Sequence, residues 1–182
     1  MVESQLAEKT TLDDVRGMVA LSARVWPDEV DDVEATARRI HEKGPGEPDW
    51  RNWWIRRNGQ IVAKAHTFAR TIQDDSAPLR ILALAGVCTD PACRGEGLAK
   101  AIVEGALALV DSGQYPAALF QTSSTVAPFY EKLGALRIPN EVVNSRNTED
   151  PKANPFWDDV VMWYPSVGQL PVGPIDLQGP GY

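Results

Sequence analysis

GVCTDPACRGEGLAKAIVEGALALV, residues Gly86 to Val110, decides how this chain is read. An apolar run leads in and an alanine-rich run with helical spacing leads out. Between them stand a proline, an arginine and two glycines. A helix N-terminus leaves main-chain N–H groups unpaired and carries partial positive charge. Glycines just before it let a ligand reach that backbone without meeting side chains, and phosphate oxygens are its natural occupants. Arg94, Gly95, Glu96 and Gly97, followed by Leu98 and Ala99, therefore read as a cradle for a pyrophosphate. Arg94 and Lys100 would support it as cations, with Asp90 and Pro91 turning the chain off the strand. The spacing is not G-x-G-x-x-G, because Lys100 stands where a third glycine would be, and the G-K-[ST] ending of a Walker loop is missing. The loop alone leaves a structural turn without ligand equally open.

Working outward, Thr11 with Asp14 forms a capping-box pattern ahead of Val15, Met18, Val19, Ser22, Val25 and Trp26, which recur at helical spacing until Pro27. A second short helix runs from the Asp31-Asp32 pair, with Val33, Ala37 and Ile40 on one face and Gly44 as terminator. Asn58-Gly59 predicts a hairpin between two strands. The run LRILALAGVCT predicts a central strand, apolar on both faces. The helix after the loop spans Leu98 to Val110, with Leu98, Ile102, Gly105 and Leu109 as its buried stripe and Gly113 after its end. AALFQTS predicts a strand, TVAPFYEKLG a short helix ending at Gly134, and LRIPNEVV with DDVVMWYP a closing strand pair. The fold class is α/β, a mixed central sheet with helices on both faces. One domain over residues 1–182 is expected, with a Pro/Gly-rich tail at 169–182 that is either a strap or a loose end.

A net charge of -7 and a pI near 4.8 argue against a nucleic-acid partner and leave room for a cationic one. The two cysteines, Cys88 and Cys93, are too few for a disulfide framework, and without neighbouring ligands they predict no metal site. The first residues carry no basic-then-apolar leader, and no apolar run reaches membrane-spanning length. A soluble cytoplasmic protein with no membrane partner is the expectation.

The residues PACRGEGLA, Pro91 to Ala99, and FYEKLGA, Phe129 to Ala135, resemble the two signatures of the GCN5-related N-acetyltransferases, the GNAT family, in their order and at a usual separation. Alanine replaces an aromatic at the end of the second. The resemblance covers most of the chain. It implies acetyl-CoA as co-substrate and transfer of its acetyl group to a primary amine by direct attack. It also implies that the backbone of Val87, Cys88 and Thr89 pairs with the pantetheine arm like an added strand, and that amides from Arg94 or Gly95 through Lys100 hold the pyrophosphate. Tyr130 matches the tyrosine that protonates the leaving thiolate. Ser123 stands where many relatives carry a CoA-contacting asparagine, and Phe129 and Lys132 border the CoA tail. The acceptor is a small-molecule or peptide amine, and a homodimer is in keeping with relatives.

Histone-type relatives carry a glutamate base early in the central strand; here that position is Ile81. Either another group serves or water relays the proton. His66 is one candidate, although a lone strand histidine is more often structural. Asp28, Glu29, Asp31 and Asp32, between the first two helices, are either a solvated turn or a cluster that attracts a cationic amine. Cys88 lacks a base or a stabilising cation and reads as a small buried thiol rather than a nucleophile. Trp53, Trp54 and Trp157 could line an acceptor cavity, while Trp163 reads as packing; each tryptophan taken singly reads as core. A non-catalytic acyl-CoA-binding sensor is the alternative function.

Overall fold

The computed structural model describes residues 1–44 and 46–182. The chain divides into two compact units, Met1–Phe68 with Gly86–Ala106 and Ala69–Ala85 with Leu107–Tyr182.

In the first unit, strand β1 (Val2–Leu6) pairs antiparallel with β2 (Arg51–Arg57), from Val2↔Ile55 to Leu6↔Arg51. Strand β2 pairs with β3 (Gln60–Gln73) across Asn58-Gly59, whose φ angles are both positive (47° and 81°), as a tight hairpin turn demands. Helix α1 (Leu12–Val25) starts where the sequence predicts. The Thr11 hydroxyl accepts from the Asp14 amide at 3.2 Å and the Asp14 carboxylate accepts from the Thr11 amide at 3.3 Å, a cap worth about 1 kcal/mol. Helix α2 (Val33–Lys43) is capped by Asp32, which accepts from the Ala35 amide at 3.0 Å, and ends at Gly44. Val15, Met18, Val19, Leu21 and Ala37 pack on Trp54, Ile61 and Cys88. Ile40, expected on that face, is 42% exposed, so the buried face of α2 is narrower than its spacing implies. Helix α3 (Leu98–Asp111) begins in this unit, and at Gly105 it lies against the Trp53 ring. Trp53 and Trp54 are neighbours on β2 and point to opposite faces. One therefore lies under α3 and the other under α1 and α2, which puts helices on both faces of these strands.

Strand β4 (Pro78–Thr89) lies in the second unit up to Ala85, and there it pairs in parallel with β5 (Ala118–Thr122) through Leu82↔Ala118 and Ala83↔Leu119. Strand β5 pairs antiparallel with β8 (Val160–Tyr164), and β8 with β6 (Leu136–Ile138), the expected closing pair. Pro139 splits the run LRIPNEVV. It has no N–H to give a ladder, and the chain resumes as β7 (Val142–Val143), which pairs with β9 (Ile175–Asp176) instead. Strand β9 also meets Gln73 of β3. The tail is thus a strap: Ile175 and Leu177 are fully buried, and the Tyr182 hydroxyl donates to the Leu119 carbonyl at 3.0 Å. Trp163 and Met162 are both buried on β8, as packing requires, whereas Trp157 is 73% exposed. The buried stripe of α3 differs from expectation. Leu98 and Ile102 are buried, but Val103, Ala106, Leu107 and Val110 complete the face, while Gly105 and Leu109 are only half-buried. Among the described residues no helix is long and apolar enough to cross a membrane.

Candidate functional site

The first unit holds the loop between β4 and α3. Asp90 organises its start. The Asp90 main-chain N–H donates to the Val62 carbonyl at 2.8 Å, anchoring the strand end. The Asp90 carboxylate accepts from the Ala92 amide at 3.0 Å and from Arg24 Nε at 2.7 Å. Those two donors hold its pKa below the usual carboxylate range. The chain then makes one 3-10 turn, Pro91–Cys93, as the Asp-Pro pair predicted. Arg24 also donates to the Ile61 carbonyl at 3.0 Å, fastening α1 to the same corner. Further on, Glu96 is ion-paired with Arg57 at the end of β2.

Gly95 and Gly97 have φ of +83° and +76°, and a Cβ built at either would meet nothing within 4 Å. Above both glycines the space is open. The first main-chain bond of α3 runs from the Ala101 amide to the Gly97 carbonyl at 3.0 Å. The N–H groups from Gly95 to Lys100 donate to no other described residue. Arg94 is exposed and makes no ion pair among the described residues, and Lys100 has only the exposed Glu104, at 3.7 Å. The loop is a row of free donors beside free positive charge.

The strand leading in is irregular. Gly86 has φ +59°, and a Cβ there would lie 2.8 Å from Nδ1 of His66 and nearer still to its Cε1. The His66 imidazole lies flat on Trp50 (centroids 4.4 Å, interplanar 15°), which in turn stacks on Phe68. Burial, with a contribution from Lys64, pushes the His66 pKa down to about 3. It is unprotonated at neutral pH and a weak base. Beyond Gly86, Val87 and Thr89 are half-buried and Cys88 is buried. Burial raises the Cys88 pKa to about 11, so the thiol stays protonated and fits the inert reading. Trp53 and Trp54 are core residues rather than cavity walls. Asp32 is committed to capping α2, whereas Asp28, Glu29 and Asp31 are exposed and unpaired among the described residues.

The second unit holds the remaining candidates. Tyr130 lies on the short helix α4 (Ala127–Glu131), 6% exposed, between Phe120 (centroids 4.7 Å) and Phe129 (4.9 Å). Its hydroxyl bonds to no other described residue. Burial first, and then the Asp158 charge, raise its pKa well above the usual phenol value, so it carries its proton at neutral pH. The Ser123 carbonyl accepts from the Val126 and Ala127 amides at 3.0 and 2.9 Å and turns the chain into α4. Phe129 is half-buried and Lys132 exposed. Ile81 is fully buried, and its aliphatic side chain offers no base. The predicted residues therefore fall into two groups, Val87 to Lys100 in one unit and Ser123, Phe129, Tyr130 and Lys132 in the other. Arg24 and Arg57, which brace the loop, were missed. Each reaches its partner across more than thirty residues, and no local pattern marks them.

A family model described as Acetyltransferase (GNAT) domain matches residues 7–137. Among solved structures, the chain is similar to an acyl-CoA N-acyltransferase from Pseudomonas aeruginosa, at 15% identity over 90% of this chain and 97% of that one, with a TM-score of 0.58. It is also similar to a glucosamine-6-phosphate N-acetyltransferase from Arabidopsis thaliana, at 20% identity over 74% and 90% of the two chains, with a TM-score of 0.57. A GCN5-related N-acetyltransferase from Kribbella flavida shares 17% identity over 75% of this chain, with a TM-score of 0.53; the chain spans 34% of that protein's length. At these identities the likeness is one of fold. No curated protein matches the sequence.

Proposed function

Because this chain belongs to the GNAT acetyltransferase family, we propose that it moves the acetyl group of acetyl-CoA to a primary amine by direct attack in a ternary complex. The observation that carries the reading is the row of free amides from Gly95 to Lys100, with two glycines opening the space above it and unpaired Arg94 alongside. Donors so arranged fit a diphosphate, whose oxygens accept from main-chain N–H groups at a helix start.

Acetyl-CoA supplies a thioester, electrophilic at its carbonyl carbon and with a thiolate as leaving group. Arg94 through Lys100 hold the diphosphate by main-chain N–H groups, with the Arg94 and Lys100 charges as support. Among the described residues β4 pairs with β5 only through Leu82 and Ala83, which supports the reading of Val87, Cys88 and Thr89 as an edge for the pantetheine amides. An N–H of Val87 or Cys88 donates to the carbonyl oxygen as charge grows on it. Tyr130 keeps its proton for the departing sulfur: its hydroxyl is uncommitted and its pKa is raised. Ser123, Phe129 and Lys132 border the CoA tail. With Ile81 apolar and His66 weakly basic, the amine reacts in its neutral form and releases its proton to solvent. The acceptor is a small-molecule or peptide amine.

Thiol release from acetyl-CoA with a panel of amines, run beside Tyr130→Phe, tests the proposal. Tyr130→Phe is expected to lower kcat about 10²–10⁴-fold while acetyl-CoA affinity, read by calorimetry, holds. A sensor, the alternative that Ile81 favours, would bind CoA and turn over nothing. Absence of any heat with CoA would end both readings.

A further inference from the structure

Lys64 on β3 is a half-buried cation to which the mechanism above gives no task. It stands directly across from Trp54 on β2. On its other side, Val62 accepts from the Asp90 amide and His66 lies against Gly86, so Lys64, midway between them, faces Cys88. Its Nζ is 5.8 Å from the centre of the Trp26 ring, where α1 gives way to the 3-10 turn Pro27–Glu29. Its surroundings are thus the Trp26 ring, the Trp54 side chain, the Cys88 thiol and the neutral His66, with the Glu29 carboxylate acting only at a distance. Among the described residues no carboxylate pairs with it.

The Lys64 side chain is half-buried with no charged group in contact among the described residues, so an anion arriving with good geometry would be its first close partner. Opposite Lys64, the buried Trp54 indole N–H bonds to no acceptor among the described residues. A buried polar group left unpaired costs free energy that a ligand oxygen would return. A cation and a second donor on neighbouring strands, with no carboxylate paired to either among the described residues, favour negative charge there.

Its location ties that charge to the reaction. Cys88 belongs to the stretch assigned to the pantetheine arm, and Lys64 is one strand away, a spacing of about 4.8 Å. The exposed Asp28, Glu29 and Asp31 pull in the opposite sense, but charges in water are screened over about 8 Å at physiological salt. They act on the approach of an amine, whereas Lys64 acts on what is seated. A polyamine would put its second cation against Lys64.

We propose that the acceptor is an amine that also bears an anionic group, a carboxylate or a phosphate, seated on Lys64. Amino acids and aminoalkyl phosphates are the matching classes. This rests on the acetyl-transfer reading.

The test is acetyl transfer by the purified protein to the common L-amino acids and to aminoalkyl phosphates, each beside its neutral counterpart, the amino-acid amide or the amino alcohol. Charge-assisted contacts predict a preference for the anionic member of about 10–100-fold in kcat/KM. The better of the two anionic classes identifies the group. Lys64→Met should collapse that preference towards unity and Lys64→Arg should keep part of it, with acetyl-CoA affinity by calorimetry equal in all three proteins. Neutral amines accepted as well as anionic ones, a preference that survives Lys64→Met, or no transfer to any anionic amine by a protein that binds acetyl-CoA would each overturn the assignment. So would loss of acetyl-CoA binding in Lys64→Met, which would put the lysine on the donor side. Failure of the wild type to bind acetyl-CoA would instead remove the acetyl-transfer reading itself.

Discussion

Replacing Gly86 with alanine tests the irregular strand that leads into the loop. The residue has φ +59°, and the new Cβ would lie 2.8 Å from His66 Nδ1. Holding a non-glycine residue in the left-handed region costs about 1–2 kcal/mol. The imidazole must also leave its stack on Trp50, a contact worth about 0.5–1.5 kcal/mol. Together these predict a loss of about 1.5–3.5 kcal/mol, or a fall in Tm of about 3–14 °C for a chain of this length. Urea unfolding and calorimetry at pH 7 would measure it. In a His66→Ala background the steric part vanishes, so the cost of Gly86→Ala should shrink to the backbone share alone. The same stack predicts acid sensitivity. Because the His66 pKa is about 3 in the folded protein and about 6.5 when unfolded, the unfolded chain binds more protons between those values. Stability from this group is complete above pH 6.5 and drains as pH falls towards 3, by at most about 1.4 kcal/mol per pH unit. His66→Phe, which keeps a ring on Trp50, should flatten that slope. An equal cost of Gly86→Ala in both backgrounds, or an unchanged acid slope in His66→Phe, would show that the imidazole does not lie on this glycine.

Two further outcomes follow from the same geometry. Gly97→Ala meets no neighbour but has φ +76°; it should cost about 1 kcal/mol in stability yet weaken acetyl-CoA binding by tenfold or more in calorimetry, and unchanged affinity would remove the diphosphate from this loop. Leu177→Ala empties a fully buried site and should cost about 2–5 kcal/mol in urea unfolding; a loss under about 1 kcal/mol would mean that the tail is not packed.

What could be read in advance was local. Thr11 with Asp14, Pro27, and the Asn58-Gly59 pair each fix a boundary through bonds within a few residues, and all three stand where expected. The loop was legible because Asp90, Pro91 and the two glycines act on their own neighbours. The face of α3 was not. AIVEGALALV is apolar almost all round, so several stripes fit the period, and packing on Trp53 is among the contacts that select one. Strand β1 escaped because VESQL has few apolar residues and gains its order from β2, some fifty positions away. Lys64, Arg24 and Arg57 look like any surface cations until their surroundings are known. The tail was open for the same reason, since its fate depends on β3 and β7 rather than on its own prolines and glycines.

Arg70 carries this dependence on distance further. It is 6% exposed on β3, and its guanidinium donates to the carbonyls of Leu177 and Pro180, more than a hundred residues later. As the chain leaves the ribosome, that cation must wait in water until those carbonyls are synthesised. Closing so long a loop is entropically slow. Docking of residues 175–182 should therefore follow the folding of β3, and chains cut before Leu177 should be open to proteases that the 182-residue chain resists.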